Sequence, residues 1–140
     1  MENAKRCGVH ALAAYVVVLS DSSVLLVQLT NPPAGHPGWS LPGDALRHGE
    51  HPENCVARIL TEQLGLQPGR LELAEIESIP GEPWHLFFHY TCEADRVPLA
   101  AGEIAEARFF QLEHLPQTAH GTWERDVVYR VVAGGGAEEA

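Results

Sequence analysis

The chain has 140 residues, 45% of them apolar and 20% charged, the make-up of one ordinary globular domain. Its 19 acids against 9 bases give a formal charge of −10. That balance excludes a nucleic-acid duplex as the main partner, because a polyphosphate backbone calls for a basic surface. A nucleotide-sized ligand stays compatible where a divalent metal screens its phosphates. The cysteines, Cys7, Cys55 and Cys92, are odd in number and form no CxxC pair, which points to reduced thiols.

Lys5 and Arg6 precede an apolar run at 11–19, a faint likeness to a signal peptide. LSDSS follows the run where a small-x-small cleavage site would stand, and the run falls short of the about 20 residues that cross a bilayer. It reads as a buried first strand, with a cytoplasmic location and no membrane partner. Residues 12–19 (LAAYVVVL) and 23–29 (SVLLVQL) are β-branched, apolar runs separated by Ser20, Asp21 and Ser22, which predicts a hairpin. NPPAGHPG at 31–38 is a loop by its Pro and Gly content, and 39–41 reads as a short strand entering Pro42 and Gly43.

A helix is predicted over 52–64. Pro52 suits the first turn, Glu53 suits the positive end of the dipole, and Gly65 is a left-handed stop. Val56, Leu60 and Leu64, four apart, give it a core face. Strands follow at 71–79, 84–92 and 106–112. In the second of these, His85, Phe87 and His89 alternate with Leu86, Phe88 and Tyr90 on opposite faces. Trp123, Val127 and Val131, with Val128 and Val132 beside them, predict a helix over 122–132. The closing AGGGAEEA predicts one domain over 1–134 and a disordered tail over 135–140. The order β-β-β-α-β-β-β-α predicts an α/β fold with a mixed sheet and helices packed on it.

The stretch 41–66, LPGDALRHGEHPENCVARILTEQLGL, resembles the Nudix box, the strand-loop-helix motif of Nudix hydrolases. Leu41, Pro42 and Gly43 match the usual lead-in, with Trp39 where an aromatic often stands. Gly49 and Glu50 match the loop, and Arg58 follows after seven residues. Leu60, Glu62, Gly65 and Leu66 fall in register. Three positions depart. Asp44 replaces the first Gly, Ile59 replaces the Glu after Arg58, and Gln63 replaces the second of two paired glutamates. His51 stands where Ser or Thr commonly caps the helix. The paired early strands, the EARFFQLEHL segment and the last helix extend the resemblance over most of the chain, which implies a Nudix-like α/β/α sandwich with a mixed sheet.

On a helix turning about 100° per residue, positions 59, 62 and 63 share one flank. The family places carboxylates there to hold Mg²⁺ or Mn²⁺, which bridges diphosphate oxygens and helps make hydroxide from water. The resemblance therefore implies catalytic roles for Glu62, Glu50 and Arg58, and metal ligands among Glu62, Glu50, Gln63, Asp44 and a later carboxylate, Glu103 or Glu106. Gln63 keeps a carbonyl oxygen, whereas Ile59 offers nothing to a metal. Asp44 is either a replacement ligand or a repellent of phosphate, and Arg58 either positions a carboxylate or contacts phosphate.

Plainer readings stand beside these. Arg58 and Glu62, four apart, would also make a surface ion pair worth about 0.3–0.5 kcal/mol. Glu50 would favour the helix start, Ile59 would widen the apolar face, and Cys55 would be a buried thiol. His48 and His51 bracket Gly49 and Glu50 in a way a transition metal could use, but solvent exposure is the plainer account. Trp84, Phe87, Phe88 and Tyr90 read as core before they read as a stacking platform for a base. Two functions follow, the hydrolase ahead of its alternative because of the family resemblance. One is a divalent-metal-dependent hydrolase of a nucleoside diphosphate linked to another group, slow because the box lacks two glutamates. The other is a Nudix-fold module that has lost turnover and binds a nucleotide or a protein partner.

Overall fold

A computed structural model describes residues 9–31, 38–67 and 69–139. Strands β1 (Val9–Ser20) and β2 (Ser23–Leu29) form the expected hairpin, pairing Leu19 with Val24 and Ser20 with Ser23. Asp21 takes the left-handed conformation (φ 55°) that so tight a turn needs, and its short polar side chain tolerates it. Strand β3 (Gly43–Ala45), helix α1 (Pro52–Leu64), strands β4 (Glu72–Ile79), β5 (Trp84–Glu93) and β6 (Ile104–Gln111) and helix α2 (Trp123–Glu139) follow, with a 3₁₀ turn at Leu112–His114.

The sheet runs β4-β5-β1-β2-β6, with β3 on β1. Among the described strands only β1 and β5 pair in parallel, in a register that sets Tyr15 beside His89. Central β1 is buried on both faces, which explains its continuous apolar run. Ala14, Val16 and Val18 face α1 with Leu25, Val27 and Tyr90. Val17, Val24 and Leu26 face Val127, Val128 and Val131 of α2. The helices thus cover opposite faces, and the architecture is the α/β/α sandwich with a mixed sheet.

Helix α1 has the bounds that its sequence predicts. His51 takes the N-cap role, its Nδ1 accepting the Glu53 N–H at 3.1 Å, so a histidine does what Ser or Thr commonly does. At the other end Gly65 is left-handed (φ 63°) and the Leu66 N–H returns to the Leu60 carbonyl at 2.8 Å. Cys55, Val56, Ile59, Leu60 and Leu64 are all fully buried.

Two expectations need correcting. No strand forms at 39–41. Ser40 makes one bridge to Val27 and Trp39 one to Thr118, and Pro42, which has no N–H, ends the pairing. The chain then crosses to β1, where the Val16 N–H bonds the Pro42 carbonyl at 3.0 Å and β3 pairs Gly43 with Tyr15. Helix α2 runs to Glu139, past the end at 132 that its sequence predicts, because glycine weakens a helix without removing its backbone donors. Residue 140 and most of the loop at 31–38 lie outside the described residues.

Candidate functional site

Arg58 organises the loop ahead of α1. Its Nε and Nη2 donate to the two Glu50 oxygens at 3.1 Å each, the bidentate fork that a planar guanidinium makes with a carboxylate. Its Nη1 donates to Asp44 Oδ2, also at 3.1 Å. The Arg47 N–H adds a bond to Glu50 Oε1 at 3.0 Å, and the Ala45 N–H one to Asp44 Oδ1 at 2.8 Å. Arg58 and Glu50 keep only 10% and 13% of their side-chain exposure, so the pair is largely shielded from water. The Arg58 bonds, then the Arg47 N–H, hold the Glu50 carboxyl below the usual range. Arg58 thus positions carboxylates, and its partners are Glu50 and Asp44, not Glu62 one turn along its own helix.

Behind this clamp lies Cys55, whose thiol reaches the Asp44 carbonyl at 3.7 Å. Burial pushes that thiol up to about 11, with Arg58 pulling the other way. Cys55 is therefore protonated at neutral pH and is the buried thiol expected of it.

The remaining candidates lie apart from the clamp. Glu62 is exposed and makes no hydrogen bond or ion pair with another described residue. Gln63 lines a cleft of about 150 Å³ shared with Ser40, Leu41, Pro42 and Gly43. The loop carrying Glu103 packs against the end of α1, where the Ala101 N–H bonds the Gln63 carbonyl at 3.0 Å. The Glu103 side chain is exposed, and Glu106 is paired with Arg108. Among the described residues no three His, Cys, Asp or Glu side chains stand where they could share a metal ion. Ile59 is wholly in the core, so that flank presents one free carboxylate. These residues do not fit the divalent cation that a full set of box glutamates holds.

The opposite wall of the cleft carries groups that the sequence did not mark: Tyr15, His120, Trp123 and Glu124. Glu124 is fully buried. It accepts the His120 N–H at 3.2 Å and bonds His120 Nδ1 at 2.6 Å. Tyr15 packs edge-on to Trp123 and Phe87, with centroids 5.1 and 5.3 Å apart. A Cβ on Gly43 would lie 2.1 Å from the Tyr15 ring, so only glycine lets this ring rest on the box backbone. Burial raises the Tyr15 phenol to about 12, with Glu124, Asp44 and Glu77 adding to the effect. Behind Trp123, Glu77 accepts its indole N–H at 3.2 Å and bonds His89 Nε2 at 2.9 Å. A larger groove of about 810 Å³ between β4, β5 and α2 contains none of the box residues.

This sandwich, with its strand-loop-helix motif joined to the central strand and a cleft beside it, can be compared with known proteins. A family model described as NUDIX domain matches residues 9–131. The chain belongs to the Nudix family. Among curated proteins none matches. Solved structures share the fold at low identity. A MutT Nudix hydrolase from Burkholderia pseudomallei is 21% identical with a TM-score of 0.73, over 86% of this chain and 97% of that one. The Nudix domain of NrtR from Shewanella oneidensis, solved with ADP-ribose, is 20% identical with a TM-score of 0.69, over 89% and 86%. An Ap4A hydrolase from C. elegans is 16% identical with a TM-score of 0.68, over 91% and 99%. No helix among the described residues is long and apolar enough to cross a membrane.

Proposed function

We propose that this chain is a Nudix-fold domain that binds a nucleotide-type small molecule and does not turn it over through a box-bound metal. The fate of the box carboxylates carries this reading. Arg58 takes up both Glu50 and Asp44, Ile59 is core, and on the 59–62–63 flank Glu62 faces solvent with no partner among the described residues. An internal guanidinium thus satisfies the loop carboxylates that a hydrated cation would otherwise compete for. The NrtR domain, solved with ADP-ribose, supports a ligand of that general class in this fold. The −10 charge argues against a nucleic-acid duplex.

A slow hydrolase is the second reading. It is favoured by Glu62 and Gln63, adjacent oxygen donors in register, with Gln63 in the same cleft as Gly43. One experiment separates the two. Phosphate release is measured from nucleoside triphosphates, dinucleotides and nucleotide sugars with Mg²⁺ or Mn²⁺, beside a calorimetric titration of each metal. The wild type should release no phosphate and take up no metal at millimolar concentration, and Gln63→Glu should gain metal affinity. Wild-type turnover that Glu62→Gln abolishes would overturn the binding reading and establish the hydrolase.

A further inference from the structure

Strand β4 ends the sheet, paired with β5 on one side and with no described strand on the other. Alternate N–H and C=O groups of such a strand point outward with nothing to bond, and folded proteins usually blunt that edge with Lys, Pro or a bulge. Glu72–Ile79 reads ELAEIESI and contains no Lys, Arg or Pro. It bulges between Leu73 and Glu75, which leaves a regular ladder from Glu75 to Ile79.

The two faces of β4 differ. On the α2 side, Glu75 accepts from Arg130 Nε at 2.9 Å, and Glu77 holds His89 and the Trp123 indole. On the α1 side, Leu73 and Ile76 stand opposite Tyr90 and Phe88 and keep 50% and 54% of their exposure, so α1 leaves this face uncovered. The edge is therefore apolar on one face and acidic on the other. Glu53 of α1 lies near the open face, where burial and then its charge raise the Tyr90 phenol. Around the corner, Glu72 and Glu93 line the groove of about 810 Å³ between β4, β5 and α2.

These charges choose among occupants. A second copy pairing through β4 would bring Glu72, Glu75 and Glu77 of both chains alongside each other, and like charges across a strand pair repel. Arg130 is already committed to Glu75 and Glu77 and does not relieve that repulsion. The chain's −10 charge opposes self-association further. A basic strand meets none of this.

We infer that β4 is a docking edge for an extended, basic segment of another protein, which adds to the sheet as a strand. Its main chain pairs with Glu75–Ile79, an apolar side chain rests on Ile76, and Lys or Arg side chains on the other face meet Glu75 and Glu77. This surface lies outside the cleft and does not depend on the nucleotide-binding reading.

The probe is a peptide as long as β4, alternating lysine and valine and blocked at both ends, added to the full chain. Calorimetry should show binding, and hydrogen exchange should slow at β4 amides. A version with proline for the central valines keeps the charge and loses N–H donors, and should bind at least about tenfold more weakly. Glutamate in place of lysine should abolish binding. Ile76→Lys, at a half-exposed site, should fold normally by circular dichroism and weaken binding about tenfold or more. Glu113→Lys, exposed beyond the far edge strand, changes the net charge more and should leave affinity within about threefold. Absence of binding by the lysine–valine peptide would overturn the inference. So would equal binding by the proline version or undiminished binding by folded Ile76→Lys, since either would show charge attraction without strand pairing. A wild-type dimer in analytical ultracentrifugation that Ile76→Lys dissociates would overturn it in favour of a second copy.

Discussion

Replacing Arg58 with methionine keeps the length of the side chain and removes its charge and its fork. Glu50, with 13% of its side-chain surface exposed, would then be left without the guanidinium and with Asp44 nearby. The two bonds to Glu50 contribute about 1.5 kcal/mol each, at the low end for bonds to charged groups because part of the gain offsets desolvation. The bond to Asp44, whose side chain is 44% exposed, adds no more than about 0.5 kcal/mol. Arg58→Met should therefore cost about 3 kcal/mol at pH 7, or about 6–12 °C of Tm in a chain of this size. Glu50 titrates lower in the folded protein than its ordinary 4.5. Its contribution is thus complete above that value and disappears as pH falls through the lower folded one. Urea unfolding of both proteins at pH 7 and near pH 3 is the assay, and the gap should shrink to less than half at the acidic end. A loss below about 1 kcal/mol at pH 7, or an equal loss at both pH values, would refute an electrostatic clamp.

Ile59→Glu restores a box residue at a fully buried position, so it should destabilise by at least about 3 kcal/mol at neutral pH. Burial raises the pKa of such a carboxyl, so the penalty should grow as pH rises from 5 to 8, read from urea midpoints; an unchanged midpoint would remove position 59 from the core. In a Cys7→Ser, Cys92→Ser background, Cys55 should react with a thiol reagent at pH 8 more than about a hundredfold slower than free cysteine, since a pKa of about 11 leaves little thiolate. Labelling at the rate of free cysteine would show the thiol open to solvent.

Local signals carried the fold. Pro52 and Gly65 bound α1 because each acts through its own backbone, and the alternation of residues 85–90 survives because Phe88 and Tyr90 pack toward α1 while Phe87 lies against Tyr15 and Trp123. Partners distant in sequence were not legible. Helical spacing suggested Glu62 for Arg58, yet the loop folds back to offer Glu50 and Asp44, and a bidentate, shielded contact wins over one on an exposed surface. Box register nominated Glu62, Gln63 and Asp44 but is silent about the opposite wall. One sign of that wall was present. Glu124 stands three, four and seven residues before Val127, Val128 and Val131, an acid on a core stripe, which only a hydrogen-bonding partner makes tolerable. Tyr15 sat unremarked inside an apolar run, because periodicity gives a face and not a neighbour.

The contact between Tyr15 and Gly43 makes those two positions a single volume shared between a core strand and the box loop. Neither can grow unless the other shrinks, so a library that varies them singly would sample mostly broken proteins, and one that varies them jointly would tune the width of the cleft. The loop is also seated on an aromatic ring anchored in the middle of the sheet, which ties the mouth of the cleft to the central strand. Redesign of what the cleft admits is thus best begun at this pair, ahead of the charged residues of the box.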